Sequence, residues 1–221
     1  MFMGIIEGRM FNVLGRVATT VPSLPKNRAV EFFDTQFQRQ VTATEYALNP
    51  FERAILPFVF GEVLDLGCGL GNLAIAAAMQ GCRVTALDAS PTAIADLARR
   101  ASEQRLPITA READLGHFAV EGQFDSVIAI GLFMFFAKDV ALEGLARVKE
   151  LTKPGGIAAV NVLIEGTTYL DMFEPGEYYL FSENELPEFF AGWTPEYLQV
   201  ESFPAPQETV KRFCTLVARR P

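Results

Sequence analysis

Three glycines at alternate positions, preceded by an aspartate, form the segment of this sequence best suited to bind a small molecule. Residues 63–72 read VLDLGCGLGN, so Asp65 stands two places before Gly67, and Gly69 and Gly71 follow. Because glycine has no Cβ, its backbone can approach a nucleoside-bearing ligand closely. An ordinary strand-to-helix turn can have the same composition, so the interpretation needs support from other residues.

The loop departs from the dinucleotide-binding fingerprint. Asn72 stands where G-x-G-x-x-G requires its third glycine. A carboxylate at Asp65 would repel a pyrophosphate, whereas its surroundings would attract the ammonium group of an amino-acid moiety. The loop therefore indicates S-adenosylmethionine as the cofactor, with S-adenosylhomocysteine as its product, rather than NAD or FAD.

Two further aspartates follow the next two strands of the pattern. Asp88 comes 21 residues after Gly67, where an acidic residue in an open α/β sheet accepts hydrogen bonds from ribose hydroxyls. Asp114 could face the adenine amino group or cap the short segment after it. Cys68 meets the need for a small residue in the loop, which favours a packing role. The predicted cofactor-binding residues are Asp65, Gly67, Cys68, Gly69, Asp88, Ala89, Asp114, Leu115 and Ile130.

Strand and helix patterns alternate from residue 50 onward, which would position these residues on one sheet. Apolar runs predict strands at 62–66, 83–87, 108–112, 125–130 and 157–164. Helical periods predict helices at 50–60, 71–80, 90–105, 138–152 and 182–190. The stretches 197–203 and 212–219 indicate a hairpin that closes one sheet edge. The order predicts an α/β fold with a Rossmann-like, mostly parallel sheet and helices on both faces.

The predicted domain covers residues 29–221, and residues 1–28 form an N-terminal extension. A length of 221 residues is comfortable for one domain. The extension contains IEGR at 6–9, a common engineered protease site, so it could be flexible or of engineered origin.

The composition of the chain limits the classes of molecule that it can bind. The net charge of −8 argues against nucleic acid and favours a small-molecule substrate. The longest apolar run, 127–137, is shorter than the roughly 20 residues that span a bilayer. Cys68, Cys82 and Cys214 share no metal-ligand spacing, and His117 is the single histidine. The sequence therefore predicts a cytoplasmic protein without a metal, a membrane or a nucleic-acid partner.

These motifs, with FDSVI at 124–128 and TKPGG at 152–156, resemble those of class I S-adenosylmethionine-dependent methyltransferases over about residues 30–220. Within that superfamily the chain is most similar to the tellurite-resistance (TehB-like) methyltransferases. The similarity lies in the glycine loop, in LFMFF at 132–136, FSENEL at 181–186, GW at 192–193 and RFCTLVAR at 212–219. The resemblance implies a seven-stranded sheet whose last strand is antiparallel. It also implies methyl transfer to a small soft nucleophile, such as a tellurium or selenium species or a thiol.

One departure from that family concerns the acceptor. The family carries a His-Arg pair between the last two strands, but here 203–208 reads FPAPQE and contains neither residue, which counts against tellurite. The resemblance leaves Arg212 as a catalytic residue that would orient an anionic acceptor. It could instead belong to a solvated basic edge with Lys211, or pair with Glu201.

Aromatic residues after the fourth and fifth strands, among them Phe133, Phe136 and Tyr169, could be part core and part pocket wall. Two other functions remain open. One is methylation of a small organic acceptor at oxygen or nitrogen. The other is a non-catalytic regulator that binds S-adenosylmethionine.

Overall fold

The computed structural model describes residues 28–221, so the predicted extension lies outside the described residues except for Arg28, which begins the first helix. The elements are α1 (Arg28–Ala43), α2 (Pro50–Ile55) followed by a 3₁₀ helix (Leu56–Phe58), β1 (Glu62–Leu66), α3 (Asn72–Met79), β2 (Arg83–Asp88), α4 (Pro91–Gln104), β3 (Ile108–Glu112), β4 (Phe124–Ile130) followed by a second 3₁₀ helix (Phe133–Phe135), α5 (Lys138–Leu151), β5 (Thr152–Leu163), α6 (Glu185–Phe189), β6 (Thr194–Ala205) and β7 (Thr209–Arg219).

The seven strands form one sheet in the order β3-β2-β1-β4-β5-β7-β6. Strands β1 to β5 are parallel, and β7 pairs antiparallel with both β5 and β6. The predicted Rossmann-like fold is therefore confirmed. From β1 the chain builds outward first through β2 and β3 and then through β4 and β5 on the other side. In such sheets ligands bind at this reversal, outside the carboxyl ends of the strands.

Hydrophobic side chains cover both faces of the sheet, as the apolar strands predict. Successive residues of a strand point to opposite faces. Val63, Ile128 and Val217 belong to one buried cluster, and Leu64, Val127 and Leu216 belong to the other. This alternation decides which strand-end side chains share a face.

Local sequence signals account for the starts of α2 and α4. Ser90 caps α4 by accepting a hydrogen bond from the Ala93 amide at 3.0 Å, and Pro91 occupies the first helical position. The predicted helix at 50–60 is wrong beyond Ile55, because the chain tightens into the 3₁₀ helix at Leu56. The strand predicted to begin at residue 157 begins at Thr152, which pairs with Phe124 across an irregularity in the ladder.

Within residues 28–221, no helix has both the length and the apolar character that a membrane span requires.

Candidate functional site

A cavity of about 1020 Å³ opens at the carboxyl ends of the parallel strands. This is the place where the reversal of strand order predicts a ligand. All nine predicted cofactor-binding residues line it: Asp65, Gly67, Cys68, Gly69, Asp88, Ala89, Asp114, Leu115 and Ile130. The structure thus brings together residues that lie up to 65 positions apart in the sequence, and their role in binding a cofactor stays a prediction.

The glycine loop is held against β2 by its own backbone. The amides of Gly67 and Cys68 both donate to the Leu87 carbonyl, at 2.8 and 3.0 Å. Gly71 has a φ of +68°, and a Cβ there would lie 2.5 Å from the Leu97 side chain. A side chain would therefore be strained by the backbone and would also collide with α4. Glycine at this position is required by the fold as well as by any ligand.

Asp88 connects the glycine loop to the cavity. Its side chain is buried and accepts hydrogen bonds from the Gly69 amide at 2.7 Å and the Ser90 amide at 2.8 Å. Burial raises the pKa of Asp88 although these backbone hydrogen bonds oppose the rise. A carboxylate has about four lone-pair sites, so both oxygens keep the capacity to accept hydroxyl donors from a ligand. Asp88 therefore has a structural role in the turn and also a free acceptor face.

Asp65 is a buried acid with an unsatisfied oxygen. The residue is 4% exposed, and its Oδ2 has no hydrogen-bond partner among residues 28–221. Burial raises the pKa of Asp65 to about 8, and the charges of Glu52 and Asp88 add to the rise. An ammonium group placed beside Asp65 would supply both the missing hydrogen bond and the missing counter-charge. This fits the amino-acid end of S-adenosylmethionine.

Asp114 lines the cavity and also forms hydrogen bonds within its own turn. Its Oδ1 accepts a hydrogen bond from the Gly116 amide at 2.9 Å. Its Oδ2 lies 3.4 Å from Nδ1 of the exposed His117. The structure shows the contact of Asp114 with the segment after it, and a contact with the adenine amino group stays a prediction.

Arg212 is not among the residues that line the cavity. Its guanidinium donates to the Glu165 carbonyl at 2.8 Å and pairs with Glu183 at 2.8 Å. The expected pair with Glu201 is wrong, because Glu201 stands opposite Phe213 in the hairpin. Strand alternation explains the position, since Lys211 and Phe213 lie on the cavity face of β7 and Arg212 lies on the other face. A role for Arg212 in orienting the acceptor stays a prediction that this geometry does not favour.

The sequence interpretation missed helix α1 as part of the site. Ala29, Phe33, Phe37 and Gln40 line the cavity at the spacing of one helical face, which is a signal that could have revealed the helix. A Cβ on Gly69 would lie 3.1 Å from the Phe37 ring, so α1 covers the glycine loop.

Asn161 and Lys211 also line the cavity and were not predicted. Lys211 alternates with Phe213 along β7, but this period-two pattern does not say which face of the strand lines the cavity.

Among residues 28–221, no group of three or more His, Cys, Asp or Glu residues could hold a metal ion.

A family model described as a methyltransferase domain matches residues 63–156. The curated relatives include a protein named hemagglutinin 1 from Eikenella corrodens, which is 29% identical over 153 residues, 69% of this chain and 49% of the relative. The probable S-adenosyl-L-methionine-dependent methyltransferase TehB of Haemophilus influenzae is 28% identical over 139 residues, 62% of this chain and 47% of the relative. The ubiquinone biosynthesis O-methyltransferase of Caulobacter vibrioides is 39% identical over 124 residues, 54% of this chain and 48% of the relative.

This chain spans about half the length of these relatives. The crystal structure of TehB from Haemophilus influenzae superimposes with a TM-score of 0.69 at 21% identity, covering 86% of this chain and 67% of the other. That likeness concerns the fold. With the matched domain and the order of the motifs, it shows that the chain contains a methyltransferase-like domain and is similar to the class I S-adenosylmethionine-dependent methyltransferases, the TehB proteins among them.

Proposed function

We propose that this chain binds S-adenosylmethionine and transfers its methyl group to a small-molecule acceptor. The observation that carries the proposal is the buried, unsatisfied Asp65 carboxyl in the same cavity as the glycine loop and Asp88. Asp65 supplies a counter-charge for the ammonium group of the cofactor. Gly67 and Gly69 provide the close backbone approach, and Asp88 accepts hydrogen bonds from the ribose hydroxyls.

The remaining predicted residues complete the nucleoside end of this site. Asp114 accepts a hydrogen bond from the adenine amino group. Leu115 and Ile130 pack against the cofactor. Cys68 and Ala89 are small residues that leave room for the cofactor beside the loop. When bound, S-adenosylmethionine supplies a sulfonium methyl whose carbon takes an electron pair from the acceptor while the carbon–sulfur pair returns to sulfur. An acceptor that enters protonated releases its proton to solvent.

The protein's contribution to the transfer is position and exclusion of water. Helix α1 covers the glycine loop through Phe37, and Phe33 of the same helix packs edge-on against Phe135 with ring centroids 5.2 Å apart. These contacts hold α1 against the glycine loop and the second 3₁₀ helix, beside the cavity that both line. Holding the acceptor in line with the methyl group is the larger part of the catalysis, since the methyl donor is already activated.

Two acceptor classes have support. Similarity to TehB favours a soft nucleophile, such as a tellurium or selenium species or a thiol, which needs no general base. The absent His-Arg pair counts against tellurite itself. The aromatic walls of the cavity and the likeness to an O-methyltransferase favour a small organic acceptor that is methylated at oxygen or nitrogen.

The cellular setting that we propose is the cytoplasm, on the ground that Cys68, Cys82 and Cys214 are all buried and unpaired. The charge of −8 supports a small-molecule acceptor over nucleic acid.

Calorimetric titration with S-adenosylhomocysteine and with NAD tests the cofactor. We expect tight binding of S-adenosylhomocysteine and negligible binding of NAD. Asp88→Ala should weaken the binding of S-adenosylhomocysteine. The matched variant Asp139→Ala, at an exposed position of α5, should leave that binding unchanged. NAD affinity equal to that of S-adenosylhomocysteine would refute the proposal.

Turnover is tested with labelled S-adenosylmethionine and a panel of thiols, selenium and tellurium oxyanions, phenols, amines and carboxylates, with detection of the product mass. Tight cofactor binding without any methylated product would favour the regulator instead of the enzyme.

A further inference from the structure

We propose that the acceptor part of the cavity binds an aromatic molecule with an acidic oxygen group, and that Lys211 binds that group. The inference rests on the proposed function, because it assumes that the cofactor occupies the part of the cavity lined by Asp65 and Asp88. The part that remains is lined by Asn161 at the end of β5 and by Lys211 and Phe213 of β7.

The sheet order separates these two parts. Three inter-strand steps lead from β1, which carries Asp65, through β4 and β5 to β7. Neighbouring strands lie about 4.8 Å apart, so β7 stands roughly 14 Å from β1. A ligand held by the predicted cofactor-binding residues extends over the ends of β1 to β4, and it leaves the space over β5 and β7 to a second molecule. The cavity of about 1020 Å³ is at the upper end of the range for a drug-sized ligand.

Lys211 supplies the positive charge in the part of the cavity over β5 and β7. Among residues 28–221 it is the one lysine or arginine that lines the cavity. Its Nζ lies 4.5 Å from the centroid of the Tyr169 ring, and it has no carboxylate partner within 4.0 Å among these residues. Burial lowers the pKa of Lys211 with no opposing charge to restore it. Glu177 lines the same cavity without forming an ion pair with it. An acidic group on a ligand would supply the counter-charge that this half-buried ammonium lacks.

Aromatic rings from five parts of the fold line the same cavity as Lys211. They are Phe33 of α1, Phe51 of α2, Phe135 of the second 3₁₀ helix, Tyr169 of the loop after β5, and Phe213 of β7. The Phe51 and Phe213 rings are 4.6 Å apart and tilted against each other, and Phe33 and Phe135 meet edge-on with centroids 5.2 Å apart. Such walls pack best against another flat ring. A bare oxyanion would use Lys211 but would leave this apolar surface without a partner.

Asn161 adds a polar contact between the two parts. It is 1% exposed, its Nδ2 donates to Thr215 Oγ1 at 2.8 Å, and its Oδ1 has no partner among the described residues. In the ladder Asn161 stands beside Ile130 of β4, which belongs to the predicted cofactor site. A hydroxyl or amine hydrogen on the acceptor would satisfy this oxygen. The recognition groups therefore match a ring that carries one acidic group and one hydrogen-bond donor.

The test is calorimetry on the full chain saturated with S-adenosylhomocysteine, with three probes: 2-naphthoate, its neutral analogue 2-naphthamide, and tellurite. We expect 2-naphthoate to bind at least about tenfold more tightly than 2-naphthamide, as one charge-assisted contact allows. Lys211→Met keeps the aliphatic stem on Tyr169 and should abolish that difference while leaving 2-naphthamide unchanged. Lys211→Arg should retain most of it. The matched control is Lys138→Met, since Lys138 also lies over a tyrosine ring, at 5.0 Å from Tyr179, but does not line the cavity.

The outcomes separate the two proposals. Failure of S-adenosylhomocysteine to bind refutes the proposed function. If it binds but the two naphthalene probes have equal affinity, or Lys211→Met leaves their difference intact, the acceptor assignment is wrong and the cofactor assignment stands. Binding of tellurite that depends on Lys211, without binding of 2-naphthoate, would replace the aromatic acid by a small oxyanion. If Lys211→Met fails to fold, the probe comparison on the unaltered chain and on Lys211→Arg still decides.

Discussion

Replacing Asp65 by asparagine should make the cofactor-free chain more stable at alkaline pH. The same substitution should lower the affinity of the chain for the cofactor. The substitution keeps the shape of a side chain that is 4% exposed and removes its charge. The pKa of Asp65 is raised from 3.8 to about 8, first by burial and then by the charges of Glu52 and Asp88. Between these two values the unfolded chain carries Asp65 ionised, while the folded chain keeps it protonated. Folding therefore takes up a proton, and stability falls as the pH rises.

The size of the effect follows from that interval. At 1.36 kcal/mol for each pKa unit, the interval from 3.8 to about 8 corresponds to about 6 kcal/mol, which is the ceiling. Effective dielectric constants near 20 describe buried sites better than a value of 4, so we expect about 1–3 kcal/mol between pH 5 and pH 8. At pH 5 the difference between the two proteins should be smaller, because most of the interval between the two pKa values lies above that pH. At pH 8 the Asp65→Asn variant should be the more stable one by this amount.

The assay is urea unfolding of the cofactor-free chain at half-unit steps from pH 5 to pH 8.5, for the unaltered protein and for Asp65→Asn. Asp125→Asn is the matched control. Its carboxylate accepts from the Glu62 amide and pairs with Lys153, and these contacts lower the pKa of Asp125. The stability that Asp125 contributes is lost only as the pH falls through its folded pKa, so its removal should cost the same at every pH in this window.

A second measurement on Asp65→Asn concerns binding. S-adenosylhomocysteine should bind more weakly, while 5′-methylthioadenosine, which lacks the amino-acid end, should bind as before. Parallel unfolding curves for Asp65→Asn and the unaltered chain across the pH range would refute the burial argument. Equal loss of affinity for both ligands would refute the assignment of Asp65 to the ammonium group.

Four other outcomes are expected. Asp88→Ala should weaken S-adenosylhomocysteine binding about tenfold to a hundredfold, measured by calorimetry, because charge-assisted hydrogen bonds to the ribose are lost. Gly71→Ala should destabilise the fold by about 1–3 kcal/mol in urea unfolding, since its positive φ and the Leu97 side chain both oppose a Cβ. Arg212→Gln should cost at most about 1 kcal/mol, from the exposed pair with Glu183, and should leave 2-naphthoate affinity unchanged. Dialysis against a chelator should leave turnover unchanged, because residues 28–221 contain no cluster of metal ligands.

The sequence could predict that the candidate cofactor-binding residues lie together, because these residues follow strands that are visible in the sequence. The glycine loop, Asp88 and Asp114 each come directly after an apolar run. Parallel strands bring their carboxyl ends to one edge, so the prediction needed no knowledge of long-range packing. The same locality explains why the ends of α4 agree with the sequence, since Ser90 and Pro91 lie at its start.

Other features depend on contacts between distant segments, and the sequence carries little trace of them. The side-chain oxygen of Asn161 has no hydrogen-bond partner among the described residues. Its side-chain nitrogen donates to Thr215, 54 residues further along the chain, and this contact orients the amide. Helix α1 belongs to the site because Phe33 and Phe37 pack across the cavity opening, against residues from the second 3₁₀ helix and the glycine loop. A helical face identifies such residues as buried but does not say which surface they cover.

The cavity lining shows that residue type alone does not say which side chains of β7 face the cavity. Arg212 and Lys211 are neighbours, yet Lys211 lines the cavity and Arg212 pairs with Glu183 on the other face. The strand is apolar on both faces after Phe213, so alternation alone cannot say which set of positions faces the ligand. The ladder decides it, because Thr215 stands opposite Asn161 and places every second residue before it, including Lys211, on the cavity face. A lysine there presents a compact point charge instead of the planar fork of an arginine. Such a charge can hold one acidic oxygen while the surrounding rings select the body of the acceptor. Under the proposed function, we therefore expect acceptor specificity to depend more on the shape of the aromatic walls than on the geometry of the cation.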